Sequence, residues 1–475
     1  MHASPRYRPS AAILELGEGS YDPVAPARFP AAILRFRNDL AAARIGLDDL
    51  DDAAWIDHFA RFAPLPGGLA RPLALRYHGH QFGTYNPALG DGRGFLFGQV
   101  IDPDDGRLLD LGTKGSGTTP YSRGGDGRLT LKGGVRELLA SEMLAAQGVP
   151  TCATFSLVET GERLHRGDEP SPTRSSVLVR LSHSHVRFGT FQRLAYHRDR
   201  EGLARLVDYC ARHLLPECAR PEIGASAAAL VEAATARTAA LCGRWMVAGF
   251  VHGVLNSDNL SVTGESFDYG PYRWTPRHDL GFVAAYFDHT GLYAYGRQPQ
   301  ACLQNLVRLA TALAGLAAPA ELERALSGFA AAHDEAIRRA FCRRLGVASR
   351  GAAADDGLVD AAYAFLGQQR VGLDRFFFDW YGGATRRMQA LAGPAAAAYD
   401  GALFDEFADA LADAAPIDGA RLDHAYFQGE GPCSLLIDEI EAIWAAIDER
   451  DEWSPVQAKV AAIRAAGEAW RTDGA

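Results

Sequence analysis

The sequence predicts an α+β protein of two lobes: a strand-rich lobe with one key helix, followed by a large, mainly helical lobe. Fifteen of the 50 glycines fall between Gly79 and Gly134, interspersed with short apolar runs that are typical of strands. Past about residue 200 the chain becomes rich in Ala and Leu, a composition typical of helices. The 475 residues suffice for roughly two to four domains of ordinary size.

The strand-rich lobe is expected over residues 73–200, after an extension over residues 1–72 whose Pro-rich stretches and apolar patches pack on the core. A helix is predicted over 135–147, because Gly148 follows as a stop signal and a proline lies just beyond it. The strands of this lobe are predicted at 94–100, 107–114, 154–159 and 176–181.

The helical lobe is expected over residues 201–475. A long helix is predicted over 226–248, and a short region of loops and strands follows it over 250–275. Mainly helices are expected from there to the end of the chain. No internal repeat is apparent.

The composition excludes several classes of protein. The formal net charge of −10 argues against a nucleic-acid binder, which needs a basic face. No apolar run reaches the roughly 18 residues of a membrane span, and the first residues lack the pattern of a secretory signal. Seven dispersed cysteines without a CxxC pair indicate reduced thiols. We therefore expect a cytoplasmic protein that binds neither nucleic acid nor membrane.

The glycine-rich lobe is locally positive. Residues 71–190 carry a net charge of +2, whereas the rest of the chain carries −12. This asymmetry favours an anionic ligand such as a nucleotide. The first candidate for binding it is the run from Gly90 through Gly92 and Arg93 to Gly94, directly before a strand, because backbone N–H groups of such a loop can face phosphate oxygens. An ordinary glycine-rich hairpin remains the alternative.

Lysine is rare in this chain. Only Lys114, Lys132 and Lys459 occur among the 48 basic residues. Lys114 ends a predicted strand, and Glu137 follows 23 residues later in what we expect to be the first turn of the helix. A strand lysine paired with a helix glutamate is the device by which protein kinases direct an ammonium group at phosphates. A coincidental pair on the surface is the alternative.

The run VHGVLNSDN, residues 251–259, follows the long helix and resembles the kinase catalytic loop HRDxxxxN. His252 and Asn259 match, but Val254 occupies the position of the catalytic aspartate and cannot accept a proton. Asp258 is the nearest replacement carboxylate. Asp268 begins a DYG run that corresponds to the metal-binding DFG of kinases, and amide and carboxylate oxygens suit Mg²⁺. The motifs together predict a protein-kinase-like bilobal fold.

Arginines complete the candidate site. Arg180 lies in a predicted strand, Arg187 follows it, and Asp126 and Gly127 precede a further arginine in the glycine-rich segment. Guanidinium groups bind phosphate oxygens bidentately, although structural ion pairs are an open alternative. The two HxH pairs, at 78–80 and 183–185, are expected to be core or hydrogen-bonding histidines, because no cysteine cluster or third histidine accompanies them.

Several strings together resemble the selenoprotein O (SelO or YdiU) family of protein adenylyltransferases across about residues 75–310. They are YHGHQFGTYNPALGDGRG, TKGSGTTPYSRGGDGR, VRELLASEML, RLSHSHVRFGTF, HGVLNSDNLSVTGESFDYGP and YAYGRQP. The resemblance implies a kinase-like fold that binds ATP inverted, so that the α-phosphorus is attacked. It implies AMP transfer to Ser, Thr or Tyr hydroxyls of proteins with Mg²⁺ or Mn²⁺; UMP transfer with manganese is also ascribed to the family.

The resemblance also assigns roles to individual positions. Asp258 resembles the proton acceptor, Asn259 and Asp268 resemble the metal ligands, and Glu137 resembles the helix partner of Lys114. The implied nucleotide contacts are Gly90, Gly92, Arg93, Lys114, Asp126, Gly127, Arg180, Arg187 and Asp268. The stretch 273–291 and the tail beyond about residue 400 depart from the family pattern, and the final RTDGA lacks its terminal cysteine pattern.

Two other functions remain compatible with these motifs. A kinase would transfer the γ-phosphate to a protein or a small molecule. A pseudokinase would bind the nucleotide without chemistry and act as an interaction module, since Val254 replaces the usual base.

Overall fold

A nine-stranded antiparallel sheet and a set of helices make up the computed structural model, which describes residues 4–417 and 420–471. The predicted α+β class is therefore confirmed. The last residues of the chain, including most of RTDGA, lie outside the described part. No helix in the described ranges is both long and apolar enough to cross a bilayer.

The strands of the described residues are β1 (Pro9–Ser10), β2 (Tyr21–Pro23), β3 (Ile33–Arg37), β4 (Leu73–Leu75), β5 (Gly79–Gln81), β6 (Thr84–Asn86), β7 (Leu96–Ile101), β8 (Leu108–Lys114), β9 (Leu129–Thr130), β10 (Ala153–Leu164), β11 (Thr173–Ser182), β12 (Phe250–Val251) and β13 (Arg273–Trp274). The main sheet has the order β2-β4-β7-β8-β11-β10-β3, with β1 beside β7 and β9 beside β11. β5 pairs with β6 and β12 with β13.

The α-helices of the described residues are α1 (Asp39–Ile45), α2 (Asp52–Phe59), α3 (Leu131–Ala146), α4 (Phe188–Tyr196), α5 (Arg200–Tyr209), α6 (Ile223–Ala248), α7 (Gln298–Leu313), α8 (Pro319–Ser327), α9 (Phe329–Leu345), α10 (Ala352–Leu366), α11 (Leu373–Asp379), α12 (Arg387–Ala392), α13 (Ala402–Leu411), α14 (Ile437–Arg450) and α15 (Ser454–Ala469). The four strands and the long helix expected from the sequence are present, with shifted ends.

The N-terminal segment takes part in the main sheet. β2 and β3 occupy the two ends of the strand order, and β1 pairs with β7. Hydrogen bonds from this segment therefore cover strand edges that would otherwise be open to other chains. The division of the chain into three parts stays a prediction.

Helix α3 packs on one face of the sheet and starts earlier than the sequence predicts. Thr130 caps it by accepting a hydrogen bond from the Gly133 N–H, so Glu137 lies in the second turn and not the first. Two glycines in the first turn obscured this start. A Cβ on Gly134 would lie 2.5 Å from Leu157 Cδ1 on β10, so a glycine allows the helix to approach the sheet closely.

The expectation of a single key helix between residues 73 and 200 is wrong. Helix α4 also lies in this range, and it buries Phe188, Phe191 and Leu194. These apolar residues recur every three positions, which is a helical spacing. This part of the chain therefore contains two helices, α3 and α4. The elements that matter most for the candidate site are β8 and α3, and α4 lies beside them.

The C-terminal helices return to the sheet-bearing part of the chain. Arg464 Nε of α15 lies 2.7 Å from Glu142 Oε2 of α3. Glu441 of α14 forms a 2.6 Å ion pair with Lys132, which also lies in α3. All seven cysteines are free thiols and six are buried, as expected from their spacing. The C-terminal helices thus support α3, the helix that carries Glu137.

Candidate active site

A polar cleft of about 640 Å³ lies between the glycine-rich loops and the segment around residues 254–271. Most of the residues predicted for the site meet there. Those that line the cleft are Gly90, Gly92, Arg93, Lys114, Asp126, Gly127, Asp258, Asn259 and Asp268. Glu137, Arg180 and Arg187 do not line it; they lie behind its wall and are almost fully buried.

Lys114 is held at the end of β8 by two carboxylates. Its ammonium group contacts Glu137 Oε1 and lies 2.8 Å from Asp268 Oδ1. The side chains of Lys114 and Glu137 are only 5% and 2% exposed. The sequence-predicted contact between strand lysine and helix glutamate is therefore present, and it places a fixed positive charge at the cleft wall.

Arg180 and Arg187 form ion pairs with Asp268. Arg180 Nη1 lies 3.4 Å from Asp268 Oδ1, and Arg187 Nη1 lies 3.2 Å from Asp268 Oδ2. Burial would raise the pKa of Asp268, but Lys114 and the two arginines hold it well below its usual range. The two arginines thus keep Asp268 ionised and oriented from behind, which is the ion-pair alternative left open by the sequence.

Strand register explains why Lys114 and Arg180 converge. Gly112 of β8 lies opposite Arg180 of β11, and Lys114 lies opposite Leu178. Residues opposite each other or two apart share a face, so both basic side chains point to the same side of the sheet. Asp268 occupies that side with a φ of 65°, in the left-handed region that aspartate tolerates better than most residues.

Asp258 is the buried carboxylate of the cleft. It is 7% exposed, and burial raises its pKa to about 6, although Arg187 lowers it. Asp258 Oδ1 has no hydrogen-bond partner in the described part of the chain. A Cβ on Gly79 would lie 2.5 Å from Oδ1, so the glycine of β5 leaves just enough space for this carboxylate. A carboxylate that has one unpaired oxygen and a pKa near neutrality can accept a proton.

The loop that carries Asp258 is anchored to the β5–β6 hairpin. The His80 N–H donates to Ser257 Oγ (2.7 Å), and the Phe82 N–H donates to Asn256 Oδ1 (3.1 Å). From behind, Arg187 Nη1 donates to the Asp258 carbonyl (2.8 Å). These bonds fix the loop on two sides, although the pairs are separated by many residues in the sequence.

Asn259 and Asp268 supply the oxygens that a divalent cation would need. Asn259 Nδ2 donates to the Val254 carbonyl (3.0 Å), an arrangement that leaves the amide oxygen as an open acceptor. Mg²⁺ usually binds one or two protein oxygens together with phosphate and water, so this hard donor set fits it. In the described residues, no group of three or more His, Cys, Asp or Glu side chains could hold a metal ion. A cation bound by Asn259 and Asp268 would therefore also need phosphate or water as ligands.

The glycine loop packs against the loop over residues 118–125. A Cβ on Gly90 would lie 2.3 Å from Tyr121 Cγ, and Ser122 Oγ donates to the Gly92 carbonyl (2.5 Å). Gly127 has a φ of +68°, and a Cβ on it would lie equally close to the backbone of Gly117. Its neighbour Asp126 forms a 2.8 Å ion pair with Arg166. Close backbone packing therefore accounts for these glycines, and it also narrows the cleft.

Sequence reasoning missed several cleft residues. They are Tyr77, Gln81, Leu89, Tyr121, Arg123, Arg166 and Asn256. The guanidinium groups of Arg123 and Arg93 make no hydrogen bond or ion pair within the described part of the chain, so both are available to an anion. The run RGGDGR around Arg123 could have identified it, because it adjoins the predicted Asp126.

The HxH histidines have structural roles, as expected. His78 Nδ1 is hydrogen-bonded to the Tyr85 hydroxyl (2.7 Å) and His185 Nδ1 to the Ser182 hydroxyl (3.2 Å), while the backbone N–H of His185 donates to Asp110 Oδ2 (2.8 Å). Burial lowers the pKa of His78 and of His183 to about 4, so both rings are neutral at pH 7.

Fold and cleft together define an α+β protein whose polar cleft brings arginine and lysine side chains together with the buried carboxylate of Asp258. The family can be stated from sequence comparison: the chain belongs to the family described as protein adenylyltransferase SelO, whose sequence model matches residues 6–464. The resemblance inferred from the motifs is confirmed.

Relatives described as protein nucleotidyltransferase YdiU support this assignment. One from Gloeobacter violaceus is 46% identical over 467 residues, covering 96% of this chain and 95% of that protein. One from Synechocystis is 43% identical over 462 residues, covering 94% of this chain and 95% of the relative. One from Synechococcus elongatus is 49% identical over 380 residues, covering 78% of this chain and 74% of that protein. The match extends well beyond the motif region.

Proposed function

We propose that this protein is a nucleotidyltransferase that transfers AMP from ATP to Ser, Thr or Tyr hydroxyls of other proteins. Membership of the SelO family supports this reaction class. The observation that carries the proposal is the buried carboxylate of Asp258, whose Oδ1 has no hydrogen-bond partner in the described residues and which shares one cleft with the ammonium group of Lys114. A proton acceptor and a phosphate-binding cation are thereby within reach of one ligand.

The nucleotide would lie along the glycine-rich wall of the cleft. Among the cations that line the cleft, Lys114, Arg93 and Arg123 suit the phosphates, whereas Arg128 and Arg166 are paired with carboxylates. Gly90, Gly92 and Gly127 line the same wall, where the absence of side chains lets the backbone approach the ligand, and Asp126 lies beside Gly127. Arg180 and Arg187 would act from behind by holding Asp268.

The chemical step is an in-line displacement at the α-phosphorus. The acceptor hydroxyl oxygen forms a bond to this phosphorus, the bond from it to the bridging oxygen of the β-phosphate breaks, and pyrophosphate leaves with that electron pair. The hydroxyl proton passes to Asp258. With a pKa of about 6, Asp258 is mostly ionised at pH 7 and still basic enough to take the proton.

Asn259 and Asp268 would hold the divalent cation, Mg²⁺ or Mn²⁺. When bound, the cation would neutralise phosphate charge and help orient the phosphates. Asp268 is ready for this role because the surrounding cations keep it ionised. Binding of the phosphates would in turn offer Lys114 a third anionic partner besides its two carboxylates.

We also propose that residues 73–200 and 201–475 correspond to the two lobes of a kinase-like fold with residues 1–72 packed against them. The Lys114–Glu137 contact and the adjacent Asn259 and Asp268 support this comparison. Val254 lies in the cleft at the position of the kinase base, which argues for a different reacting phosphorus, as in an inverted ATP.

The test uses ATP labelled separately at the α- and γ-phosphates, with Mg²⁺ or Mn²⁺ and a protein acceptor. Transfer of the α-label, with a mass increase of one AMP and loss of transfer in Asp258→Asn, is expected. Transfer of only the γ-label would refute the proposal in favour of a kinase. ATP binding without any transfer, equal in the wild type and in Asp258→Asn, would indicate a pseudokinase interaction module.

A further inference from the structure

Three exposed aromatic side chains lie together beside the cleft. Phe82, Tyr286 and Phe287 are 39%, 70% and 41% exposed, and we call them the aromatic rim. The ring of Phe287 lies 5.8 Å from that of Phe82 and 5.0 Å from that of Tyr286. Adjacent exposed aromatic rings are typical of surfaces that bind another molecule.

The backbone of Phe82 makes this exposure unusual. Phe82 and Gly83 form the two-residue turn between β5 and β6, and both have positive φ, 48° and 82°. Such turns favour asparagine and glycine, whereas a bulky residue at positive φ is an outlier. A phenylalanine at this position is therefore not explained by the turn, and outliers of this kind are concentrated at functional sites.

The rim is joined to the loop of the proton acceptor. Asn256 Oδ1 accepts hydrogen bonds from the Phe82 N–H (3.1 Å) and from the Tyr293 hydroxyl (2.8 Å), and the Tyr293 ring lies 5.0 Å from that of Phe82. At the other end of the same strand, Gly79 contacts the Asp258 carboxylate. The β5–β6 hairpin thus reaches from the reacting carboxylate to the rim.

Strand β5 also sets the distance between the two features. Gly79 and Phe82 are three residues apart, and three extended residues span about 10 Å. In an extended acceptor chain, side chains two positions apart point to the same face, and two residues of about 7 Å together with the length of an aromatic side chain cover the distance from a hydroxyl at Asp258 to Phe82. We propose that the aromatic rim binds an aromatic side chain of the acceptor protein, two residues from the modified hydroxyl, in an extended segment. This inference rests on the proposed AMP transfer.

The experiment uses two synthetic peptides with one serine each. One carries Phe two positions before and two positions after the serine, and the other carries Ala at both positions. The wild-type protein with α-labelled ATP and Mg²⁺ is expected to show a KM about tenfold lower for the Phe peptide, the effect of burying one aromatic side chain. Values of kcat and the KM for ATP are expected to be equal for the two peptides.

Phe82→Asn is the decisive variant, because asparagine suits the turn and the fold is not at risk. It is expected to abolish the preference for the Phe peptide with kcat and the KM for ATP unchanged, and Phe287→Ser is expected to act in the same direction. Met388→Ser, at an exposed apolar position of α12, is the matched control and should keep the preference.

Three results would overturn the inference. Equal KM values for both peptides in the wild type, with α-label transferred, would refute the rim and leave the proposed function intact. A dimer in light scattering that Phe287→Ser converts to a monomer would assign the rim to a second copy of this chain. Transfer of α-label to neither peptide would overturn the proposed function and the rim together.

Discussion

Replacement of the Asp258 carboxylate by an amide is expected to remove activity and to stabilise the fold. The carboxyl group has an ordinary pKa of 3.8, and burial raises its pKa in the folded protein to about 6. A shift of roughly two units corresponds to about 3 kcal/mol, since each unit is about 1.4 kcal/mol. At neutral pH the protein therefore carries a cost of this size for keeping Asp258 ionised in a buried position.

The pH dependence of this cost has a definite sign. The folded state binds the proton more tightly than the unfolded state, so the cost is fully present above pH 6 and disappears below the unfolded pKa. Asp258→Asn should thus be more stable than the wild type by about 3 kcal/mol at pH 8 and by roughly half of that at pH 5. For 475 residues the difference at pH 8 corresponds to about 3 °C in Tm.

Calorimetry of both proteins at pH 8 and pH 5 measures the effect, with AMP transfer followed in parallel. Asp451→Asn is a control of opposite sign, because hydrogen bonds from Arg174 and Trp453 lower the pKa of Asp451 to about 2, and its removal should lower Tm at pH 8. A lower Tm for Asp258→Asn at pH 8, or a gain that is independent of pH, would refute the reasoning.

Four further expectations follow from the geometry of the cleft. The rate of transfer should fall as pH drops through about 6, where Asp258 becomes protonated; a profile that is flat between pH 5 and pH 8 would exclude it as the base. Lys114→Arg should lower kcat at least about 100-fold, because the larger guanidinium group does not fit between two carboxylates in a buried position, whereas Lys132→Arg, at a partly exposed position and paired with one glutamate, should remain active. Gly79→Ala should lower kcat more than about tenfold, because its Cβ displaces the Asp258 carboxylate, while an alanine at Gly19, which has open space around it, should have no effect on the rate. Arg123→Gln should raise the KM for ATP about tenfold through the loss of a free guanidinium group, and an unchanged KM in an ATP titration would contradict its role.

Much of the candidate site was accessible from local sequence patterns. The Lys114–Glu137 contact followed from a strand end and a helix start, and Asp258, Asn259 and Asp268 followed from their spacing after a long helix. Such patterns can be interpreted from the sequence because the residues of a short motif determine the local backbone geometry. The start of α3 was misplaced for the same reason: Gly133 and Gly134 favour a turn locally, and only close packing explains them, of Gly133 on Leu129 and of Gly134 on Leu157 of β10.

The sequence by itself determined the α+β class, the family and the chemical identity of nine of the residues that line the cleft. Only the tertiary structure decided that Arg180 and Arg187 hold Asp268 from behind the cleft, that Gly79 lies against Asp258, and that the aromatic rim adjoins the same loop. These relations join residues from about 80 to about 205 positions apart. They depend on strand register and on the packing of loops that no local pattern encodes, because the energy of each contact exists only once distant segments have been brought together.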